Sequence, residues 1–258
     1  MAKNLFDLSG RVAVVMGGTS GIGRAIAIGL AERGADVIAS GRREDKVNEV
    51  ADEIEKLRRK SVRQTVDAGS RESIDALRDR VLSQFGRVDI LVNSAGQIFR
   101  KPTVQISEAE WNTLLDVNLT GTLRTCQSFY EPLAASGRGR VVNIASLNSF
   151  VSFLEVTAYA ASKAGVLGLT RSLAVEWAPK GILVNAIAPG VFRTELNSGL
   201  LDGTERGREL LMRTPMKRFG QISELLGAAI FLSSDGASFV TGQCIAVDGG
   251  FLASGVNQ

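Results

Sequence analysis

Residues 11–23 read Arg11-Val12-Ala13-Val14-Val15-Met16-Gly17-Gly18-Thr19-Ser20-Gly21-Ile22-Gly23, an apolar run that passes straight into a glycine-rich loop. The run is short, rich in β-branched side chains and apolar at consecutive positions, the pattern of a strand buried on both faces. Residues 22–33 then take up a helical period. A strand, a glycine loop and a helix in succession aim backbone N–H groups and the positive end of a helix dipole at one point, which suits a pyrophosphate. The spacing is Gly17-x-x-x-Gly21-x-Gly23 rather than G-x-G-x-x-G, and a glycine-rich turn by itself is also simply a tight turn. Its place at the first β–α junction of a repeating pattern favours the nucleotide.

The pattern repeats to the end of the chain. Short β-branched runs predict strands at 36–40, 62–66, 89–93, 140–145, 183–188 and 243–247. Amphipathic stretches between them predict helices at 45–60, 70–85, 107–135, 157–178 and 223–233. Ser107 followed by Glu110 is a capping box opening one helix, and Pro179 with Gly181 closes another. Strands apolar on both faces, alternating with helices, define an α/β fold: a doubly wound parallel sheet with helices on both faces and ligands at the carboxyl ends of the strands. No linker or repeat divides residues 1–258, so a single domain is expected. Residues 189–220 show no clear period, and an unstructured substrate loop that moves as a lid is expected there.

Composition removes whole classes of chemistry. Lys plus Arg is 30 against 27 Asp plus Glu, a formal charge of +3, and the basic residues are scattered rather than striped, so nucleic acid is not an expected partner. There is no histidine, which excludes a Ser-His-Asp triad, a Cys-His pair and an imidazole metal site; no metal is expected. Proton transfer must fall to Tyr, Lys, Asp, Glu or Cys. Cys126 and Cys244 are far apart and form no CxxC, consistent with two thiols in a reducing compartment. The first residues lack the apolar core of a signal peptide, and no apolar run is long enough to span a bilayer; a cytoplasmic protein without a membrane partner is expected.

Tyr159 and Lys163, four residues apart on a predicted helix, share one face. A tyrosine titrating near 10 is a poor acid–base group at neutral pH, and lowering it by ~3 units needs roughly 4 kcal/mol in favour of the phenolate. An ammonium on the same face of a dry site is a source of that preference. Alone, such a pair is more often an ordinary surface feature; without histidine it becomes the acid–base candidate. After the second strand comes Ser40-Gly41-Arg42-Arg43. An acidic residue there would accept a ribose 2′-hydroxyl and select NAD, whereas two arginines suit a 2′-phosphate. Cations also oppose the dipole at a helix start, which favours a ligand role. NADP is the expected cofactor and NAD the lesser alternative.

Taken with two later segments, the glycine spacing resembles that of the short-chain dehydrogenase/reductases, over essentially the whole chain. Asn93-Ser94-Ala95-Gly96 resembles the family's Asn-Asn-Ala-Gly; Ser146 and Tyr159-Ala160-Ala161-Ser162-Lys163 resemble its Ser and Tyr-x-x-x-Lys; Pro189-Gly190 and Val247-Asp248-Gly249-Gly250 complete the set. The resemblance implies a Rossmann-type domain and an oxidoreductase. Tyr159 would protonate a substrate carbonyl oxygen as hydride arrives, Lys163 would hold the ribose and depress the tyrosine, Ser146 would bind the same oxygen, and Asn118 would anchor a proton-relay water. It implies cofactor contacts from Gly17, Thr19, Ser20, Gly21, Ile22 and Gly23, from Arg42 and Arg43, and from Asp67 and Ala68. Asn93, Ala95 and Gly96, Tyr159 and Lys163, and Pro189, Gly190, Phe192 and Thr194 complete that set. A homotetramer is implied as well. Met16 and Ser94 depart from the family's usual Thr and second Asn, which puts the tie between the cofactor loops in doubt.

Within that family the chain is most similar to sugar-acid oxidoreductases of the gluconate 5-dehydrogenase and 3-deoxy-gluconate type. The marks are Leu5-Phe6-Asp7-Leu8, Gln97-Ile98-Phe99-Arg100-Lys101-Pro102, Ala188-Pro189-Gly190-Val191-Phe192-Arg193-Thr194 and Arg213-Thr214-Pro215. Several occur in 3-oxoacyl-carrier-protein reductases too, which remain an alternative. A polar keto acid as small-molecule substrate would want a cation, for which Arg100 and Arg193 are candidates; Asn148 and Asn197 are candidate hydroxyl contacts beside Ser146 and Tyr159. An NADP-binding regulator without turnover is the alternative of another class, and the set Asn118, Ser146, Tyr159 and Lys163 speaks against it.

Overall fold

The computed structural model describes residues 4–193 and 198–255. Its sheet has six parallel strands: β1 (Val12–Met16), β2 (Asp36–Ser40), β3 (Ile90–Asn93), β4 (Arg140–Ile144), β5 (Leu183–Pro189) and β6 (Cys244–Val247), in the order β2-β1-β3-β4-β5-β6. Between β1 and β3 the winding reverses, and the carboxyl ends of the strands open there into a crevice. The doubly wound single domain expected from the sequence is the fold found.

Alternation along the strands builds two cores. Ala13 and Val15 of β1, Val37 and Ala39 of β2 and Ile90 and Val92 of β3 pack on one face, against α1 (Gly21–Glu32) and a late helix. Val12, Val14 and Met16, with Ile38 and Leu91, pack on the other face. There they meet α3 (Arg71–Phe85), α5 (Gly121–Ala135) and α6 (Thr157–Trp177). All five residues of β1 are buried, so the apolar run with no polar alternation has its cause in a sheet covered on both sides. The late helix is α9 (Leu226–Ser233), entered through a single 3₁₀ turn.

Helix ends follow local chemistry. Ser70 caps α3 by accepting from Ser73 N, and Gly86 ends it in the left-handed region at φ 69°. Ser107 and Glu110 form the expected capping box at the start of α4 (Glu108–Leu115). α6 gives way to a 3₁₀ turn through Pro179, which Gly181 closes at φ 74°. The single helix expected over 107–135 is α4 and α5 joined by a π-helical turn, Asp116–Thr120, in which Gly121 N donates to Asp116 O.

Three expectations are corrected. Residues 62–66 form no ladder strand. Val37 N donates to Lys60 O and Val66 N to Gly41 O, both at 3.0 Å, but between them the Ser40 hydroxyl takes the Gln64 carbonyl and regular pairing is lost. The second helix, α2 (Glu44–Lys56), ends four residues before Lys60, because Arg58 turns left-handed at φ 60°. Residues 189–220 are not an unstructured loop: α7 (Ser198–Leu201) and α8 (Glu205–Arg213) lie within them. Leu201 and Leu210 join Leu147 and Phe251 in a small separate core that seats α8 on the body of the domain.

Candidate active site

A cleft of about 800 Å³ opens at the carboxyl ends of the strands. Gly17, Thr19, Ser20, Ile22 and Gly23 form one wall, and Arg42, Arg43, Asp67 and Ala68 one end. Ala95, Gly96, Pro189, Gly190 and Phe192 stand across from them, and Ser146, Asn148, Tyr159 and Lys163 line the floor of the other end. Most of the sequence-derived site thus converges. Gly21, the first residue of α1, does not line the cleft, and Thr194 and Asn197 lie outside the described residues.

The wall of the first loop is a cradle without side chains. A Cβ on Gly17, whose φ is 72°, would sit 2.7 Å from the Ala95 backbone, and one on Gly23 would sit 2.1 Å from the Gly17 carbonyl oxygen. Ser20 precedes α1 with extended backbone and no side-chain cap, so the first N–H groups of the helix face the cleft uncapped. At the far end Arg42 and Arg43 are exposed and form no ion pair among the described residues. Bare helix amides, a cradle that a Cβ would fill and two uncommitted guanidiniums fit a dinucleotide carrying a further phosphate. Gly23→Ala is expected to lose about 2–4 kcal/mol of stability, because the contact is backbone on backbone and the helix must shift. Chemical denaturation and dinucleotide binding measured together would check this, both falling in the variant.

Tying the two cofactor loops together does not require the family's usual side chains. Ser94 N donates to Met16 O at 2.9 Å, while the Met16 side chain is buried in the core. Asn93, an expected cofactor contact, does not line the cleft. Its amide donates to Asn143 Oδ1 at 2.9 Å and to Cys126 Sγ at 3.3 Å, and Asn143 in turn donates to Thr170 Oγ1 at 3.0 Å, so the residue links β3, β4 and α6. Asp67 accepts from Gly69 N at 2.9 Å and leaves the cap of α3 to Ser70.

Tyr159 and Lys163 stand on the cleft side of α6, one turn apart. The tyrosine hydroxyl is hydrogen-bonded to Ser146, and Ser146 Oγ also accepts from Asn148 N at 3.1 Å, which fixes its rotamer. Lys163 Nζ lies 5.7 Å from the Tyr159 ring centroid and donates to Ile144 O at 2.7 Å. The electrostatics differ from expectation. Burial holds Tyr159 above its ordinary value, with only the Ser146 hydrogen bond pulling the other way. Burial also pushes the Lys163 ammonium down to about 8. Burial rather than a charged neighbour sets both shifts.

A measurable pH dependence follows. Below pH 8 Lys163 is protonated whether the chain is folded or unfolded, and the fold bears the full cost of burying the charge. From about 8 to 10.5 the folded chain releases that proton while the unfolded chain keeps it, so stability rises with pH across the window. Unfolding free energies of the wild type and Lys163→Met, measured from pH 7 to 10.5, are expected to shift in favour of the wild type by about 3 kcal/mol.

Asn118 sits in the π-helical turn, fully buried and off the cleft wall. Its Oδ1 accepts from Gln97 N and its Nδ2 donates to Gln97 O, both at 2.8 Å, with Ser162 Oγ at 3.2 Å from Nδ2. The side chain is therefore committed to holding the loop after β3 against α6. Both candidate substrate cations are also placed elsewhere. Arg100 pairs with Glu155 at 2.9 Å and Arg193 with Asp202 at 2.5 Å, and neither lines the cleft. Asn148 does line it, with Nδ2 donating to Val151 O at 3.2 Å. The sequence reading missed Phe153, Leu201, Arg206 and Leu210, which close the substrate end. The i, i+4 spacing of Arg206 and Leu210 was the available signal.

A glycine-cradled crevice at the switch point, with serine, tyrosine and lysine at its far end, defines a dinucleotide-dependent oxidoreductase. The chain belongs to the short-chain dehydrogenase/reductase family: a family model described as Enoyl-(Acyl carrier protein) reductase matches residues 17–252. It is 39% identical over 254 residues to the 2-dehydro-3-deoxy-D-gluconate 5-dehydrogenase of Escherichia coli, covering 98% of this chain and 100% of that protein. The D-threitol dehydrogenase of Mycolicibacterium smegmatis is 38% identical, with 95% and 94% covered. Among solved structures, a gluconate 5-dehydrogenase from Burkholderia cenocepacia in complex with NADP and tartrate superimposes with a TM-score of 0.93 at 37% identity, over 98% of this chain and 99% of that one.

Proposed function

We propose that this chain is an NADP(H)-dependent oxidoreductase that interconverts a carbonyl and a secondary alcohol on a sugar acid or similar polar keto acid. The observation that carries the reading is the Ser146–Tyr159 pair beside buried Lys163, at the opposite end of the cleft from Arg42 and Arg43. NADPH, when bound, supplies the hydride. The Tyr159 hydroxyl gives its proton to the carbonyl oxygen, and Ser146 hydrogen-bonds the same oxygen. Lys163 places a positive charge 5.7 Å from the tyrosine ring, where it favours the phenolate left behind. Asn118 acts through position, by holding the Gln97 loop to α6.

The test is NADPH consumption with 5-keto-D-gluconate, D-threitol's ketose and an acetoacetyl thioester in parallel. Turnover of the keto acid in preference to the other two is expected. Preferential turnover of the thioester would make the protein an acyl reductase, and NADPH binding with no turnover on any of them would favour a sensor.

The same reading includes a cytoplasmic homotetramer. Two free cysteines accord with a reducing compartment. Val175, 81% exposed on α6, and Leu154, 72% exposed, give apolar surface for subunit contact. Light scattering on the purified protein would test the tetramer. Among the described residues no helix is long and apolar enough to cross a membrane.

A further inference from the structure

We propose that Arg206 is the specificity-determining residue of the site: its guanidinium receives the carboxylate of the acid substrate. The inference rests on the sugar-acid reading above and names a residue for it. Arg206 lines the substrate end of the cleft together with Phe153, Leu201 and Leu210, which are apolar. The other cleft-lining cations have work elsewhere. Lys163 donates to Ile144 O, and Arg42 and Arg43 follow β2, four strand positions from β5, or about 19 Å away at ~4.8 Å per strand.

The guanidinium is held but not neutralised. Its Cζ lies 5.9 Å from the Phe153 ring centroid, and Phe153 in turn packs edge-on against Phe251 at 5.9 Å. Arg213, seven residues on and on the same face of α8, stacks on Phe251 at 5.4 Å. This aromatic seat fixes the direction of the side chain. Arg206 forms no ion pair among the described residues; of the two carboxylates that act on it from a distance, Glu209 lies three residues on in α8 and Glu155 is already paired with Arg100. Neither carboxylate forms an ion pair with Arg206, so its charge is met from a distance only.

Its placement is unfavourable for the free protein on two counts. A cation in the first turn of a helix opposes the macrodipole. Burial and Arg100 also hold Arg206 below its ordinary value. An arginine kept where helix and neighbours disfavour it, facing a cleft, is accounted for by an anion that arrives there.

The experiment compares wild type, Arg206→Met and Arg206→Lys in two ways. The first is KM for 5-keto-D-gluconate. The second is tartrate binding to the NADPH-loaded protein, followed by the fluorescence of the bound cofactor. Arg206→Met is expected to raise KM about 100-fold and to abolish tartrate binding, with NADPH affinity unchanged. Arg206→Lys keeps a charge without the planar fork and is expected to lie between the two, which retains a test should the methionine variant fold poorly. Equal KM and equal tartrate affinity in wild type and folded variants, or a wild type that binds no tartrate, would overturn the assignment. A wild type that reduces only uncharged ketones but whose tartrate binding depends on Arg206 would instead remove the sugar-acid reading and leave Arg206 as an anion receptor.

Discussion

Tyr159→Phe is expected to lower kcat/KM by about 10³-fold or more, near the upper part of the range for loss of a general acid. The substitution removes one oxygen and leaves the ring that packs on the cleft wall. Binding of NADPH should therefore stay within about twofold, since glycine loop and arginine contacts are untouched. Stability should not fall, because the hydroxyl sits in a desolvating site that offsets much of its hydrogen bond to Ser146. Steady-state kinetics and cofactor fluorescence on one preparation separate the two effects. More than a tenth of wild-type turnover would mean that another group delivers the proton, and with no histidine in the chain few groups remain.

Replacing both Arg42 and Arg43 with alanine is expected to weaken NADPH about 100-fold while leaving NADH nearly unchanged. Two charge-assisted hydrogen bonds to a phosphate are worth roughly 1.5–3 kcal/mol each when sheltered, and exposure of both side chains places the sum at the low end. The same exposure makes the preference sensitive to salt. Titrations at low and at molar ionic strength should show the gap between the two dinucleotides narrowing in the wild type and staying small in the variant. Equal losses for NADH and NADPH would mean that the arginines shape the loop rather than read the phosphate.

The fold was legible because it is written in local signals. The β1 run, the capping box at Ser107 and the stop at Gly181 each depend on neighbours a few residues away. What failed depends on partners far off in sequence. Residues 62–66 have the composition of a strand, but one Ser40 hydroxyl occupies the Gln64 carbonyl and the ladder lapses. Arg100 and Arg193 carry the charge a substrate would want, yet Glu155 and Asp202 take it up, which no spacing rule reveals. Arg206 was missed for the opposite reason. Its helix is nine residues long, and too short and polar a period hid within a segment read as irregular. Asn93 shows a third case: a residue type expected at the cofactor turned inward and became a brace between strands and helix.

The π-helical turn between α4 and α5 has a bearing on which changes the region tolerates. An α-helix advances about 100° for each residue, so one residue more than a regular helix needs puts the two halves of this rod out of phase. The first half lies against α6 and the second against α3. Asn118 sits at the point where the offset is absorbed, which is what turns its amide towards Gln97. The number of residues in the turn therefore sets which face of α4 meets α6 and which face of α5 meets α3. Adding or removing one residue in the turn would rotate one half of the rod by about 100° against its neighbour.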